Sequence, residues 1–240
     1  MTSLVDAVRA CRVIDASPTI RTDMAVYPGH PPVAVEAART HDRDGYFLQT
    51  LSLGEHSGSH VDAPAHILAA RPDATIDTFP VRRFVAPYVL FDLSALALAP
   101  GELATARDLE QAARRDALEL HAGDAALICF GCDPPDGERP PAWAANAPGL
   151  AEDACAYLAD VRVGLVGSDT ATCDGAVRDG VIVSAHGHAT YFLPNDILIV
   201  EGLRGLASAP RRGVFVGAPL KIAGGSGSPI RALLLVEDDA

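Results

Sequence analysis

The segment from His56 to His66 constrains the fold of this chain more than any other stretch. Its potential ligand side chains all occupy even-numbered positions: His56, His60, Asp62 and His66. Because side chains along an extended strand alternate between two faces, a period of two directs all four to the same side. In a helix, His60 and Asp62 would diverge by roughly 200°. The segment is therefore predicted to be extended.

A straight strand could not bring these side chains to one ion. At ~3.3 Å per residue, His56 and His60 would stand about 13 Å apart, whereas metal ligands lie ~2.0–2.2 Å from the ion. Gly58 and Pro64 are suited to bending the chain on either side of the His60–Asp62 pair. Imidazole nitrogens combined with a carboxylate oxygen suit Zn²⁺ or, with more open coordination, Mn²⁺. Three protein ligands and an open position are typical of a catalytic site.

A second group of candidate ligands lies far downstream. It contains His186 and His188, and Glu201 follows the apolar run Ile197-Leu198-Ile199-Val200. A carboxylate at the end of a buried strand is costly unless it is paired or bound to a metal. Asp169 and Asp174 lie in a polar loop after another predicted strand, where they are either turn formers or partners of the site.

The rest of the chain predicts a single α/β domain over residues 1–240, rich in strands and with two or three helices. Thr105 followed by Asp108 resembles a capping box at the start of a helix that runs to about Ala113, and a second helix is expected over Leu150–Leu158. The glycine-rich segment Gly224–Ser228 is expected to be a tight loop. Strands are predicted over Cys11–Asp15, Val33–Glu36, Tyr46–Leu53, Ala86–Leu93, Ala125–Phe130, Val161–Val166, Val181–Val183, Ile197–Val200, Val214–Val216 and Ile230–Val236.

Charge and hydropathy exclude several classes of partner. The formal net charge of −12 removes the electrostatic basis for non-specific binding to nucleic acid or to anionic lipid. No apolar run approaches the ~18 residues of a membrane span, and Asp6 interrupts the place where a signal peptide would be apolar. We therefore expect a cytoplasmic protein that acts on a small molecule, with no nucleic-acid or membrane partner.

The five cysteines are not typical of a secreted disulfide framework, because their number is odd. Cys129 and Cys132 form a CxxC pair that could indicate a redox or zinc site. However, Cys129 ends a predicted buried strand and no second CxxC exists, which favours small apolar residues in the core.

The motif at residues 56–66 resembles the HxGTHxDxPxH signature of the cyclase-like metal-dependent hydrolases, a family that includes bacterial kynurenine formamidases and isatin hydrolases. Ser59 replaces the threonine and keeps its hydroxyl. Further similarities in the same order extend the resemblance over roughly residues 13–236. They are the segments Val13–Ser17, Met24–Gly29, Gly167–Asp174, Ala218–Lys221 and Ser228–Ala232.

The resemblance implies the swivelling β/β/α fold of that family, commonly a homodimer, with two divalent ions per subunit. By position, His56, His60 and Asp62 would hold one ion, and Asp62 would bridge to a second ion held by His188 and Glu201. The resemblance makes His66 the general acid/base and places Tyr27 against an aryl ring of the substrate. Zn²⁺ is expected, with Mn²⁺ as the alternative.

One spacing departs from the family pattern. The second-site histidine usually stands twelve residues before the glutamate, but His188 stands thirteen before Glu201. Either one residue is inserted around Thr190–Leu193, or the second site is altered; His186 is the poorer substitute.

The resemblance implies hydrolysis of an aryl formamide, with N-formylkynurenine as the expected substrate. Isatin-type lactam or lactone hydrolysis and polyketide-type ring closure are alternatives within the family. A metal-dependent binding protein without turnover is the alternative outside enzymes, although His66 would be superfluous in it. A structural zinc domain would need four closed ligands, usually cysteines.

Overall fold

The computed structural model describes residues 3–134 and 138–238. Its helices are α1 (Leu4–Ala10), α2 (His41–Asp44), α3 (Ala106–Arg115), α4 (Pro141–Ala144) and α5 (Glu152–Val161). Its strands are β1 (Cys11–Asp15), β2 (Ala34–Arg39), β3 (Leu48–Ser52), β4 (His60–Asp62), β5 (Val85–Asp92), β6 (Leu103–Ala104), β7 (Ala125–Cys129), β8 (Gly149–Leu150), β9 (Leu165–Ser168), β10 (Ala176–Arg178), β11 (Val181–Ser184), β12 (Leu198–Glu201), β13 (Arg212–Val216), β14 (Gly227–Pro229) and β15 (Leu233–Glu237).

Nine of these strands form one mixed sheet in the order β1-β15-β13-β5-β7-β9-β12-β4-β14. The central strands β5, β7, β9 and β12 run parallel, and the outer pairings on both sides are antiparallel. Three two-stranded ladders, β2–β3, β6–β8 and β10–β11, lie outside this sheet. The central strands are mostly apolar because both faces of the sheet are covered, and their polar residues, such as Glu201, lie at strand ends.

Strand β7 shows how the sheet separates two cores. Ala125, Leu127 and Cys129 pack into one core, whereas Ala126 and Ile128 pack into the other. The second core also contains the buried faces of α3 and α5, the two ten-residue helices. Thr105 and Asp108 form the predicted capping box at the start of α3.

The expected β-rich α/β fold with few helices is confirmed, and most predicted strands are present within one to four residues of their predicted ends. The strand expected over Val161–Val166 begins later, at Leu165, because α5 extends to Val161 and ends in a left-handed residue, Arg162. No helix among residues 3–134 and 138–238 is both long and apolar enough to cross a membrane.

The prediction that Gly224–Ser228 forms only a tight loop is wrong, because the second half of this segment is a strand. Gly227 and Ser228 belong to β14, which pairs with β4 at the edge of the sheet. Gly227 stands opposite Asp62, and a Cβ on Gly227 would lie only 2.6 Å from the ring of His56. Gly227 is therefore needed for close packing beside the candidate ligands. Composition alone could not distinguish this role from that of a flexible glycine.

Candidate metal centre and active site

The candidate ligands meet where β4 pairs with β12. In this antiparallel pair His60 stands directly opposite Glu201, and Asp62 stands opposite Ile199. The predicted bend is present, since Gly58 has a φ of +67° and Pro64 opens a short 3-10 turn that ends at His66. The bend lets His56 return to Asp62, so that the two side chains touch.

Asp62 is the centre of the cluster. Its Oδ1 lies 2.6 Å from His56 Nδ1 and 3.4 Å from His60 Nε2, and its Oδ2 lies 3.5 Å from His188 Nε2. Glu201 contacts two of the same histidines, with Oε2 3.2 Å from His60 Nε2 and Oε1 3.4 Å from His188 Nε2. The structure therefore brings all five predicted ligands together around one buried carboxylate.

Two groups of potential ligand atoms share Asp62. The ligand atoms of His60, Asp62 and Glu201 lie within 4.8 Å of one another, and so do those of His56, Asp62 and His66. The strand register places His60 against Glu201, which brings these two residues into one group. The assignment of His56 and His60 to the same ion stays a prediction.

The cluster fits a cation, and the fit is visible in its unsatisfied atoms. Among the described residues, Asp62 Oδ2 and His60 Nε2 are buried and have no hydrogen-bond partner, although buried polar atoms are normally paired. Imidazole nitrogens and carboxylate oxygens are the donors that Zn²⁺ and Mn²⁺ accept. A divalent ion would satisfy these atoms.

The pKa shifts of His60, His188 and Asp62 show that the cluster favours bound positive charge. Burial disfavours the cationic form of His60, but Asp62 and Glu201 outweigh it and raise the pKa of His60 to about 9. Burial also opposes the charged form of His188, yet Asp174, followed by Asp62 and Glu201, raises its pKa well above the usual value. Although burial alone would raise the pKa of Asp62, His60 and its other histidine neighbours lower it well below the usual value.

Asp174 fixes the orientation of His188. Its Oδ1 lies 2.5 Å from His188 Nδ1, and its Oδ2 accepts hydrogen bonds from the backbone N–H groups of Gly187 and His188. Asp174 is fully buried. This carboxylate on one ring nitrogen leaves the other nitrogen facing Asp62 and Glu201, an arrangement that is common around metal-ligating histidines.

The extra residue between His188 and Glu201 is accommodated in a wide helical turn. Gly187–Tyr191 forms a π-helical turn, closed by a 2.7 Å hydrogen bond from Phe192 N to Gly187 O. Such a turn contains one residue more than an α-helical turn. His188 consequently still reaches Asp62 and Glu201, and it is His188 rather than His186 that stands beside them.

His66 lies beside the cluster, its ring centroid 3.9 Å from that of His56. Burial lowers the pKa of His66, although the Asp62 carboxylate opposes this shift. The ring is therefore neutral at pH 7, with a nitrogen able to accept a proton.

A cleft of about 550 Å³ opens above the cluster. Tyr27 lies on its wall, where burial followed by the negative charge of Glu201 raises the pKa of the phenol. Trp143 and Met24 add apolar surface to the same wall. The cleft is thus suited to a small molecule with an aromatic part.

Four cleft or neighbouring residues were not predicted to form part of the site: His30, Arg139, Arg204 and Ser226. The ring of His30 lies between those of Tyr27 and His56, tilted against both, with centroids 5.4 and 6.0 Å away. Ser226 Oγ lies 3.0 Å from His56 Nε2. No spacing signal distinguishes them. Three of them nevertheless stand near features already singled out: His30 follows Gly29, Arg204 follows Glu201 by three residues, and Ser226 lies within Gly224–Ser228.

The CxxC pair belongs to the packing of the protein. All five cysteines are free, and Cys129 is buried in the core. Burial raises the pKa of Cys132 to about 12, which leaves its thiol protonated and unreactive at neutral pH.

Comparison with known proteins places this geometry in a family. Residues 14–175 match the family model Cyclase, described as "Putative cyclase". The chain is 32% identical over 229 residues to the kynurenine formamidase of Salinibacter ruber, covering 92% of this chain and 96% of the relative. It is 31% identical over 216 residues to the isatin hydrolase of Roseibium aggregatum, covering 86% of this chain and 82% of the relative.

Solved structures agree in fold. Isatin hydrolase A from Ralstonia solanacearum superposes with a TM-score of 0.83 at 28% identity, over 99% of this chain and 98% of that one. A structure described as a potential metal-dependent hydrolase with cyclase activity superposes with a TM-score of 0.70 at 27% identity, over 96% of this chain and 100% of that one. The motif at residues 56–66, the nine-stranded sheet and the matches along most of the chain lead to one conclusion: this protein belongs to the cyclase family of metal-dependent hydrolases.

Proposed function

We propose that this chain hydrolyses an aryl formamide and that the substrate is N-formylkynurenine, which reacts with water to give kynurenine and formate. The observation that carries the proposal is the buried Asp62 cluster, with its unsatisfied oxygen and nitrogen atoms, at the base of a cleft lined by aromatic side chains. The kynurenine formamidase from Salinibacter ruber supports this choice of substrate.

Five side chains would hold the metal: His56, His60, Asp62, His188 and Glu201. The proposal is for two ions bridged by Asp62, since Asp62 belongs to both groups of potential ligand atoms. Zn²⁺ is the proposed metal and Mn²⁺ the alternative. When bound, such an ion supplies a Lewis acid that polarises the formyl carbonyl and makes water a stronger nucleophile.

His66 is assigned the proton transfers. Its ring is neutral at pH 7 because burial lowers its pKa, so a ring nitrogen can accept the proton that water loses as it attacks the formyl carbon. The same nitrogen then donates that proton to the aryl amine as the carbon–nitrogen bond breaks. Tyr27 is proposed to stack on the aryl ring and hold the formyl group over the cluster.

The proposal is tested by removing the metal with a chelator and reloading the purified protein with Zn²⁺ or Mn²⁺. We expect release of kynurenine from N-formylkynurenine to disappear with the metal and to return with it. A protein that binds stoichiometric metal and releases no kynurenine would contradict the substrate. A protein that binds no metal would contradict the site.

Isatin-type ring opening is the second candidate, favoured by the 31% identity to the isatin hydrolase of Roseibium aggregatum. The same metal-loaded protein should be given isatin, whose lactam opens on hydrolysis to an amino-keto acid. Faster turnover of isatin than of the formamide would establish this alternative. Binding of either compound without turnover would establish a binding protein instead.

A homodimer is proposed as the assembly. The β2–β3 hairpin projects exposed apolar residues, Phe47, Leu48 and Leu51, that the same chain leaves uncovered. Light scattering of the purified protein tests this assembly, and a monomer at micromolar concentration would contradict it.

A further inference from the structure

Three arginines line the cleft of this strongly acidic protein, together with the carboxylates of Glu138 and Glu201. Arg21, Arg139 and Arg204 all line the cleft, although the chain carries a formal net charge of −12. Arg21 lies at the mouth, 3.7 Å from the exposed carboxylate of Glu138. Arg139 and Arg204 share one carboxylate, Asp133, so this part of the wall retains one excess positive charge.

The two terminal nitrogens of Arg139 hold this part of the cleft wall together, while its buried Nε has no hydrogen-bond partner among the described residues. Its guanidinium donates hydrogen bonds to the carbonyl oxygens of Gly202 and Leu203, the two residues after Glu201, and stacks on Trp143 with a separation of 4.0 Å. Its side chain is only 7% exposed. Arg139 therefore fastens the loop before α4 to the turn that follows β12.

Arg204 is held differently. Its Nε donates to both carboxylate oxygens of Asp133, at 3.2 and 3.3 Å, and this fixes the direction of the side chain. Its two terminal nitrogens donate no hydrogen bond to any residue in 3–134 or 138–238, and the side chain is 28% exposed at the cleft wall. The donors that remain are those with which a guanidinium binds a carboxylate in bidentate fashion.

Arg204 also lies at a suitable distance from the cluster. It follows Glu201 by three residues, so its Cα is at most about 11 Å from that of the glutamate. A ligand whose reacting group meets Asp62 and Glu201 could extend along the wall and present a second group to Arg204.

We propose that Arg204 is a specificity residue that binds a carboxylate of the substrate, and that the cleft consequently selects aryl amides bearing an acidic side chain over neutral ones. This inference rests on the proposed function and narrows it. N-formylkynurenine has its carboxylate at the end of the molecule opposite the formamide, whereas isatin has no carboxylate. Asp133 positions the guanidinium and does not touch the substrate.

Three formamides test the proposal on the metal-loaded protein. N-formylkynurenine has the carboxylate and the ammonium group, 4-(2-formamidophenyl)-4-oxobutanoate has the carboxylate alone, and 2′-formamidoacetophenone has neither. We expect Arg204→Gln to lower kcat/KM about 10- to 100-fold for the two acids, mainly through KM, and to leave the neutral formamide unchanged. Arg204→Lys should lose less kcat/KM on the two acids than Arg204→Gln, because lysine keeps the positive charge but cannot bind a carboxylate through two parallel hydrogen bonds.

The matched control is Arg114→Gln, which removes the same charge from the exposed face of α3 and should change none of the three values. Equal losses on acidic and neutral formamides, or no loss on either, would overturn the role of Arg204. If the wild type hydrolyses none of them, the proposed function fails, and calorimetry with kynurenine and 2-aminoacetophenone decides the inference separately. Kynurenine binding that is weakened in Arg204→Gln would support the subsite, and equal binding by both proteins would overturn it.

Discussion

Two aspartates, Asp62 and Asp169, are each 1% exposed but have different surroundings. Asp169 accepts three backbone hydrogen bonds of 2.8 to 3.0 Å, from Phe130, Gly131 and Cys132, and both of its oxygens are satisfied. Asp62 has imidazoles around it, and its Oδ2 has no hydrogen-bond partner among the described residues.

The difference separates a structural carboxylate from a functional one. A buried carboxylate surrounded by backbone N–H groups is paired within the fold and holds a loop, here the loop that leads to Arg139. A buried carboxylate with an unsatisfied oxygen beside ring nitrogens needs a further positive partner. Burial and residue type are the same at both positions, so only the partners distinguish the candidate metal site.

The largest effect is expected at Asp62. Asp62→Asn should release the metal and lower kcat/KM at least about 1,000-fold, because the polarising ion is lost. Metal content by atomic absorption and turnover by kynurenine absorbance measure both parts. Asp169→Asn serves as the matched control and should retain its metal; loss of metal in both variants would erase the distinction between the two aspartates.

His66 lies beside the cluster but is proposed to transfer protons and not to bind the metal. His66→Ala should lower kcat about 10²- to 10⁴-fold, because the proton acceptor is removed, while the metal content stays at the wild-type value. Loss of metal from this variant would reassign His66 as a ligand beside His56 and Asp62.

Asp174 combines features of both aspartates, because it binds backbone N–H groups and a histidine of the cluster. Asp174→Asn should weaken metal affinity about 10- to 100-fold, since the orientation of His188 is no longer fixed. Competition with a fluorescent chelator measures the affinity. Unchanged affinity would mean that Asp174 only holds the turn at Gly187.

Asp169→Asn should make the folded protein less stable. Its amide group would face N–H donors that the carboxylate oxygens now accept, so the free energy of unfolding should fall by about 1–3 kcal/mol. Urea denaturation of the metal-loaded protein measures the loss. A variant as stable as the wild type would show that these three hydrogen bonds contribute little.

The smallest expected effect is a shift in the pH profile. His66 must be neutral to accept a proton, and burial lowers its pKa. The acid limb of kcat/KM should therefore lie below pH 6.5, the ordinary value for a histidine, and activity should persist as the pH falls through 6.5. An acid limb above pH 6.5 would contradict a neutral buried His66.

Part of the candidate site could be predicted from sequence because four of its residues are local, whereas His188 and Glu201 lie far downstream. His56, His60, Asp62 and His66 lie within eleven residues, and Gly58 and Pro64 indicated where the chain bends. Arg204 and Ser226 were not predicted, because their positions after Glu201 and within the glycine-rich segment do not indicate where their side chains point. The role of Gly227 was also hidden, because a glycine-rich segment has the same composition in a loop and in a closely packed edge strand.

The sequence by itself determined which chemistry the chain could perform: a period of two, a bend and a set of nitrogen and oxygen donors follow from residue types and spacing alone. The tertiary structure decided how those donors are grouped. The pairing of β4 with β12 places His60 against Glu201, and the wide turn at Gly187–Tyr191 returns His188 to Asp62. Contacts between residues more than a hundred positions apart depend on strand register and packing, which local spacing does not encode.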